Sequence, residues 1–177
     1  MKLEVGRKAP EFEIKSLDGK VYNLKMMKGK KFMLSFYRYA SCPFCNLRVS
    51  FLMDLHQRLN LDDQMIGIFQ STEEDMMTYV GQQCPEFPIA SDYERKYYKA
   101  YGVDTSLMAY IVGAMRLKTL LEAYRKGFHI SRSMGPKTTV PADFLIDEKG
   151  IITYAYYGHD ISDHLDLDIV EVFLSAQ

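Results

Sequence analysis

Cys42, Pro43, Phe44 and Cys45 form a Cys-x-x-Cys motif. It follows an apolar run, Phe32-Met33-Leu34-Ser35-Phe36-Tyr37, and precedes a stretch in which Leu47, Phe51, Leu55 and Leu59 recur every fourth residue. That order predicts a strand covered on both faces, then a helix with Ser41 as its cap and Asn60 as its stop, whose first turn carries both sulfurs. A thiol at that place meets unpaired backbone N–H groups and the positive end of the helix dipole, and both favour the reactive thiolate. Residues three apart share a helix face, at a separation a disulfide closes without backbone movement. The implied chemistry is a dithiol that cycles to a disulfide. Cys42 is expected at the cap and more exposed, and Cys45 one turn in and more buried. Arg38 and Arg48 flank the motif, where a positive charge would lower a thiol pKa.

Other clusters carry weaker signals. Zinc needs about four ligands, and Cys84 and the four histidines are scattered with no second Cys-x-x-Cys, so no metal is expected. Cys84, next to Pro85, reads as a partly buried bystander. His159-Asp160 and Asp163-His164 fall where Ser162 is expected to open a last helix, a place where acidic residues are favoured anyway.

The elements that position the dithiol alternate. Residues 9–24 read as a β-hairpin turning at Asp18-Gly19. Strands follow at 32–37, 64–69 and 87–90, with helices from the dithiol, from Ser71-Thr72 to about Gly81, and from Asp92 to Tyr101, closed by Gly102. A second hairpin spans 144–156, and the last helix has Leu165, Ile169, Val172 and Phe173 inward. This order implies an α/β fold of one domain over 1–177: a central mixed sheet with a parallel core and helices on both faces. Residues 104–139 break the rhythm as a helical insert, with a helix over 107–126 and a polar loop to Thr139 containing Gly135-Pro136. The insert is a helix packed on the body, a dimer contact or a lid near the dithiol.

The 177 residues include 47% apolar and 25% charged, with a net charge of −1 and a pI near 6.4. This balance gives no reason to expect nucleic acid or an anionic membrane as partner. Residues 1–8 contain no apolar signal core, and no apolar run reaches the roughly 18 residues of a membrane span. The expected location is the cytoplasm, where a close cysteine pair is catalytic or metal-binding rather than structural.

Four stretches carry a family resemblance: Gly6-Arg7-Lys8-Ala9-Pro10-Glu11-Phe12 with Leu17-Asp18-Gly19-Lys20; Phe36-Tyr37 leading to the cysteines; Phe87-Pro88-Ile89-Ala90-Ser91-Asp92 running to Tyr101-Gly102-Val103; and Val140-Pro141-Ala142-Asp143-Phe144-Leu145-Ile146-Asp147-Glu148-Lys149-Gly150. Together they resemble the thioredoxin-fold superfamily, in its peroxiredoxin-like branch of alkyl hydroperoxide reductase and thiol-specific antioxidant proteins. The resemblance implies a thioredoxin-like fold and a redox enzyme without a cofactor. Its partners would be a protein or small-molecule thiol or disulfide, or a peroxide, with electrons from a thioredoxin- or glutathione-type donor and a homodimer possible.

The departures matter. The family's site is similar to Pro-x-x-x-Thr-x-x-Cys. Aligned on Phe36-Tyr37, the last cysteine falls on Cys45, the threonine position holds Cys42 and the proline position holds Arg38. The family arginine before the late strand is replaced by Val140-Pro141, with Arg38 or Arg132 as substitutes. The motif with Pro141 instead resembles the thioredoxin pairing, which implies a cis Pro141 beside the disulfide and a Val140 backbone offered to substrate. Thioredoxin order makes Cys42 the attacking thiol and Cys45 the resolving one, and peroxiredoxin order reverses them. The implied activities are thiol-disulfide exchange, peroxide reduction, or redox sensing without turnover.

Overall fold

The computed structural model describes residues 1–130 and 135–176. Strand β3 (Phe32–Phe36) alternates between two cores: Phe32, Leu34 and Phe36 enter one, and Met33 and the adjoining Tyr37 enter the other. Burial on both faces is why the run lacks polar alternation. β3 pairs in parallel with β4 (Met65–Phe69), which pairs in parallel with β5 (Ile89–Ser91). On its other side β3 runs antiparallel to β6 (Ala142–Ile146), and β6 runs antiparallel to β7 (Ile152–Tyr157). The resulting mixed sheet has the order β5-β4-β3-β6-β7.

The hairpin of β1 (Glu13–Lys15) and β2 (Val21–Asn23) turns at Asp18-Gly19, where Gly19 has φ 87°, a conformation open to glycine. It attaches to the sheet edge through the Leu17 N–H to the Ile89 carbonyl (3.0 Å). With Tyr97, Tyr98 and Tyr101 it closes one core. Helix α1 (Pro43–Leu59) and helix α6 (Leu167–Ser175) cover the opposite face. Helix α2 (Glu73–Thr78) is capped by Thr72, passes into a 3-10 turn over Val80–Gln83 and stops at Cys84, which is left-handed and exposed rather than partly buried.

Several expectations shift. α1 begins at Pro43 with Cys42, not Ser41, as its cap residue, because proline fills the first helical position without needing an N–H acceptor. Asn60 ends it in the left-handed conformation (φ 51°), as expected. Leu47 and Leu55 are buried, but Phe51 and Leu59 are half-buried, and Val49 and Leu52 take the core places. α6 starts at Leu167, not Ser162, since Asp166 caps it through the Asp168 N–H. Val170 and Leu174 then point inward and Val172 faces out.

The helix expected over 107–126 is two: α4 (Leu107–Ala114) and α5 (Leu117–Arg125). At the break Arg116 reaches the buried Asp160 carboxylate (2.7 Å). Thr105 bridges Thr139 at the base of the insert, with the Ser106 N–H on the Thr138 carbonyl (2.8 Å). α5 packs on α1, and the Lys126 ammonium meets the Ser50 hydroxyl (2.7 Å) and the face of Phe51 (4.8 Å). No helix among the described residues is long and apolar enough to cross a membrane.

Helix α3 (Lys96–Ala100) joins fold to site. Its cap residue Arg95 makes no side-chain cap bond, and Asp92 does that work. The buried Asp92 carboxylate accepts the N–H groups of Lys96 (2.9 Å), Tyr97 (2.7 Å) and Tyr98 (3.1 Å). The Tyr98 hydroxyl then reaches the carbonyls of Tyr37 (2.6 Å) and Ile68 (3.0 Å), fixing the end of β3 one residue before Arg38. Asp92→Ala strands those donors at a cost of about 2 kcal/mol. The expected fall in melting temperature is about 4–8 °C, measured by circular dichroism; an unchanged melting point contradicts the assignment.

Candidate active site

Between β3 and α1 the chain runs through five residues to the dithiol, and polar side chains hold them. Ser71 accepts the Ala40 N–H (2.8 Å), and the Gln70 N–H binds the Arg38 carbonyl (2.9 Å). Asn46, one turn into α1, donates its amide to the carbonyls of Ala40 (2.7 Å) and Cys42 (2.9 Å), and Gln83 donates to the Asn46 amide oxygen (2.8 Å). A loop with its backbone so occupied presents the thiols in one geometry.

Cys42 and Cys45 are free thiols side by side at the start of α1, and each is 0% exposed. The expectation of an exposed Cys42 is therefore corrected, for Arg38 lies over it. Arg38 is itself 1% exposed. One guanidinium nitrogen donates to Cys42 Sγ (3.3 Å) and the other to the Lys137 carbonyl in the insert. The rings of Tyr39 and Tyr110 flank its charge at 5.0 and 6.0 Å. The Arg38 backbone N–H points at Cys45 Sγ (3.4 Å). Arg48 is buried too but does not serve the thiols: it donates to the Leu165 carbonyl (2.7 Å), with its guanidinium 3.9 Å from Asp143.

These surroundings split the two thiols. Burial pushes Cys42 upward, but the hydrogen bond with Cys45, the Arg38 charge and the backbone N–H groups of Cys45 and Phe44 outweigh it and bring the thiol down to about 6. Burial also pushes Cys45 up, and the hydrogen bond and negative charge of Cys42 add to it, so Cys45 keeps its proton. One sulfur is an anion with a cation on it, and its neighbour is an acid one helical step deeper.

Pro141 enters β6 level with Tyr37, since Ala142 pairs with Phe36, so the fold does bring it to the dithiol end of the sheet. Its peptide bond to Val140 is trans, not cis. The insert accounts for the change: the Val140 N–H is spent on the Asp104 carbonyl (3.1 Å) at the insert base, and the Pro141 carbonyl accepts the Gly158 N–H (2.9 Å). Val140 therefore has no N–H to offer a substrate strand. Arg132 lies outside the described residues. His159, Asp160, Asp163 and His164 divide among separate partners, as His159–Asp163 (2.9 Å), Arg116–Asp160 (2.7 Å) and His164–Asp143 (3.0 Å). Among the described residues no three metal-binding side chains converge.

Asn46, Ser71 and Asp143 were not singled out from sequence. Asn46 had a legible signal, a polar residue four after Cys42 on the cysteine face of α1. So did Asp143, a carboxylate inside the apolar run Ala142-Asp143-Phe144-Leu145-Ile146. Burial raises Asp143, but His164, Arg48 and the Leu165 N–H bring it down to about 2 and keep it ionised. Ser71, 26 residues beyond Cys45, carries a helix-start signal but none for its contact with Ala40.

Because the Cys42 and Cys45 thiols are covered and Cys84 is exposed, a bulky maleimide added to the reduced protein is expected to label Cys84 first, read by peptide mass spectrometry. Labelling of Cys42 as fast as Cys84 contradicts the burial.

Known proteins share this fold and part of this sequence. The chain is 28% identical over 138 residues to the thiol-disulfide oxidoreductase ResA of Bacillus thuringiensis, covering 71% of this chain and 79% of that one. It is 30% identical over 104 residues to the peroxiredoxin Bcp of Bacillus subtilis, covering 58% and 66%. The fold matches the crystal structure of peroxidoxin BcpB from Mycobacterium tuberculosis with a TM-score of 0.66 at 15% identity, over 97% of this chain and 96% of that one. The AhpC/TSA family model matches residues 5–155. A thioredoxin-like mixed sheet carrying a polarised thiol pair thus belongs, in this chain, to a peroxiredoxin-like oxidoreductase of the AhpC/TSA family.

Proposed function

We propose that the protein is a thiol-disulfide oxidoreductase in which Cys42 attacks and Cys45 resolves. The observation that carries this reading is the Arg38 guanidinium held 3.3 Å from Cys42 Sγ, next to a Cys45 that stays protonated. The Cys42 thiolate attacks one sulfur of a substrate disulfide. The S–S bond breaks, one substrate thiolate leaves, and a mixed disulfide joins Cys42 to the other. Cys42 is then neutral, so the charge and hydrogen bond that held the Cys45 proton are gone while Arg38 remains. Cys45 gives up its proton to the departing thiolate and attacks Cys42 Sγ, releasing the second substrate group as a thiolate, which takes its proton from water, and closing the Cys42–Cys45 disulfide. The substrate gains two electrons and the dithiol loses two. A thioredoxin- or glutathione-type thiol restores the reduced pair, and we place the cycle in the cytoplasm, where such donors keep thiols reduced. Pro141 supports the site by closing the entry of β6, with Val140 tying it to the insert.

Arg38 also favours a second reading. A fixed cation at a thiolate would stabilise the charge that develops when a peroxide O–O bond breaks, with Cys42 becoming a sulfenic acid that Cys45 condenses to the disulfide and water. The positions where the family keeps its threonine and arginine hold Cys42 and Val140-Pro141, which argues for sulfur as the preferred target. Stopped-flow oxidation by hydrogen peroxide separates the two. The first reading expects a rate near that of a free thiol of matched pKa.

With an insulin-type disulfide, wild type is expected to be active, Cys42→Ser inactive, and Cys45→Ser to accumulate a mixed disulfide on Cys42. A mixed disulfide trapped on Cys45 would reverse the order, and no reduction by wild type would end the proposal. The second-order rate is expected to rise about tenfold per pH unit below about 6, where Cys42 is protonated, and to level off above it. A rate still climbing through pH 8 would contradict a stabilised thiolate.

A further inference from the structure

A cavity of about 140 Å³ lies beside the segment that carries the dithiol. Pro43 and Phe44, the residues between the two cysteines, line it together with Arg38, Tyr110, Leu120 and Ile161. One wall is therefore insert, with Tyr110 from α4 and Leu120 from α5. α4 comes this close because its inward residues are small. Ala109 and Gly113 are its buried positions, and a Cβ at Gly113 would collide with Ile161.

The lining has two characters. Most of it is aromatic and aliphatic. Set into it is Arg38, whose two terminal nitrogens are engaged by Cys42 and Lys137, while its buried Nε has no hydrogen-bond partner among the described residues. A buried charged donor left unpaired costs about 1–3 kcal/mol, so an acceptor arriving with a ligand recovers that cost. Size narrows the ligand. Sites for whole cofactors or drug-sized molecules run to about 300–1,000 Å³, so this cavity takes a group the size of one side chain. An apolar side chain attached to a carbonyl is the chemistry of a single residue in a polypeptide.

We propose that this cavity is a specificity pocket for the residue flanking the cysteine of a substrate disulfide: an aliphatic side chain fills it, and that residue's carbonyl accepts from Arg38 Nε. The inference rests on Cys42 as nucleophile toward a disulfide and adds which disulfides it takes. The insert is then a substrate-selecting wall.

The test compares kcat/KM for disulfide-linked peptides that differ only in the residue beside the cysteine, leucine against serine, with hydroxyethyl disulfide as a substrate too small to need the pocket. Wild type is expected to prefer leucine by about tenfold or more, the range one apolar contact provides. Ala114→Phe, which projects into the cavity from the end of α4, is expected to bring that ratio near one. Leu120→Ala, which enlarges the pocket, is expected to move the preference from leucine toward phenylalanine, and it decides the matter if Ala114→Phe fails to fold by circular dichroism. Equal rates for both peptides in wild type, with hydroxyethyl disulfide reduced, would overturn the pocket and leave the activity standing. No reduction of any disulfide would instead fail the underlying reading. Rapid oxidation by cumene hydroperoxide with no peptide reduced would assign the cavity to a peroxide's alkyl group and overturn the proposal.

Discussion

A guanidinium buried against a buried thiol is the constraint on which the rest of this structure depends. Taking an arginine charge out of water costs several kcal/mol unless an anion compensates it, and Arg38 has 1% of its surface exposed. The Cys42 sulfur beside it is the group able to supply that anion. Each charge therefore supports the other: the Cys45 hydrogen bond and the Arg38 charge together favour ionised Cys42, and ionised Cys42 lets Arg38 remain inside. The Cys45 thiol is set by the same pair, since burial and the Cys42 charge keep its proton in place.

Distant elements make that pairing possible. Asp92 caps α3, α3 sets Tyr98, and Tyr98 holds the end of β3 from which Arg38 projects. The insert supplies the Lys137 carbonyl that receives the other end of the guanidinium, and Tyr110 flanks its charge. Arg116 on Asp160 and the Thr105–Thr139 bridge keep the insert in place. A segment that interrupts the regular alternation of strands and helices thus becomes part of the site, holding Arg38 over Cys42 and shaping the space beside it.

Much of this was legible in the residues. The double-faced run at 32–36, the Asp18-Gly19 turn, the stop at Asn60 and the helix-start dithiol are written in local patterns, and local patterns decide local structure. The register of α6 was not, because a capping aspartate at 166 outcompeted the serine at 162. The break in the insert was not, because it depends on Arg116 meeting an acid more than forty residues away. Arg38 was visible as a charge near the thiols, but its burial was not. A lone arginine after a strand is usually solvated, and here Tyr110 and Lys137 of the insert, with Tyr39, close around it. The same closure explains Val140 and Pro141. The thioredoxin pairing implied a cis proline with a free backbone before it, and the insert base has taken that backbone for itself.

The central claim is that Arg38 holds Cys42 as a thiolate inside the protein. The most direct measurement is the ultraviolet thiolate titration of the reduced protein in a Cys84→Ser background, with and without Arg38→Met. The account predicts one thiolate forming with a midpoint at about 6, moved upward by about 1–3 pH units when the guanidinium is removed. A midpoint that stays in place after Arg38→Met would contradict it.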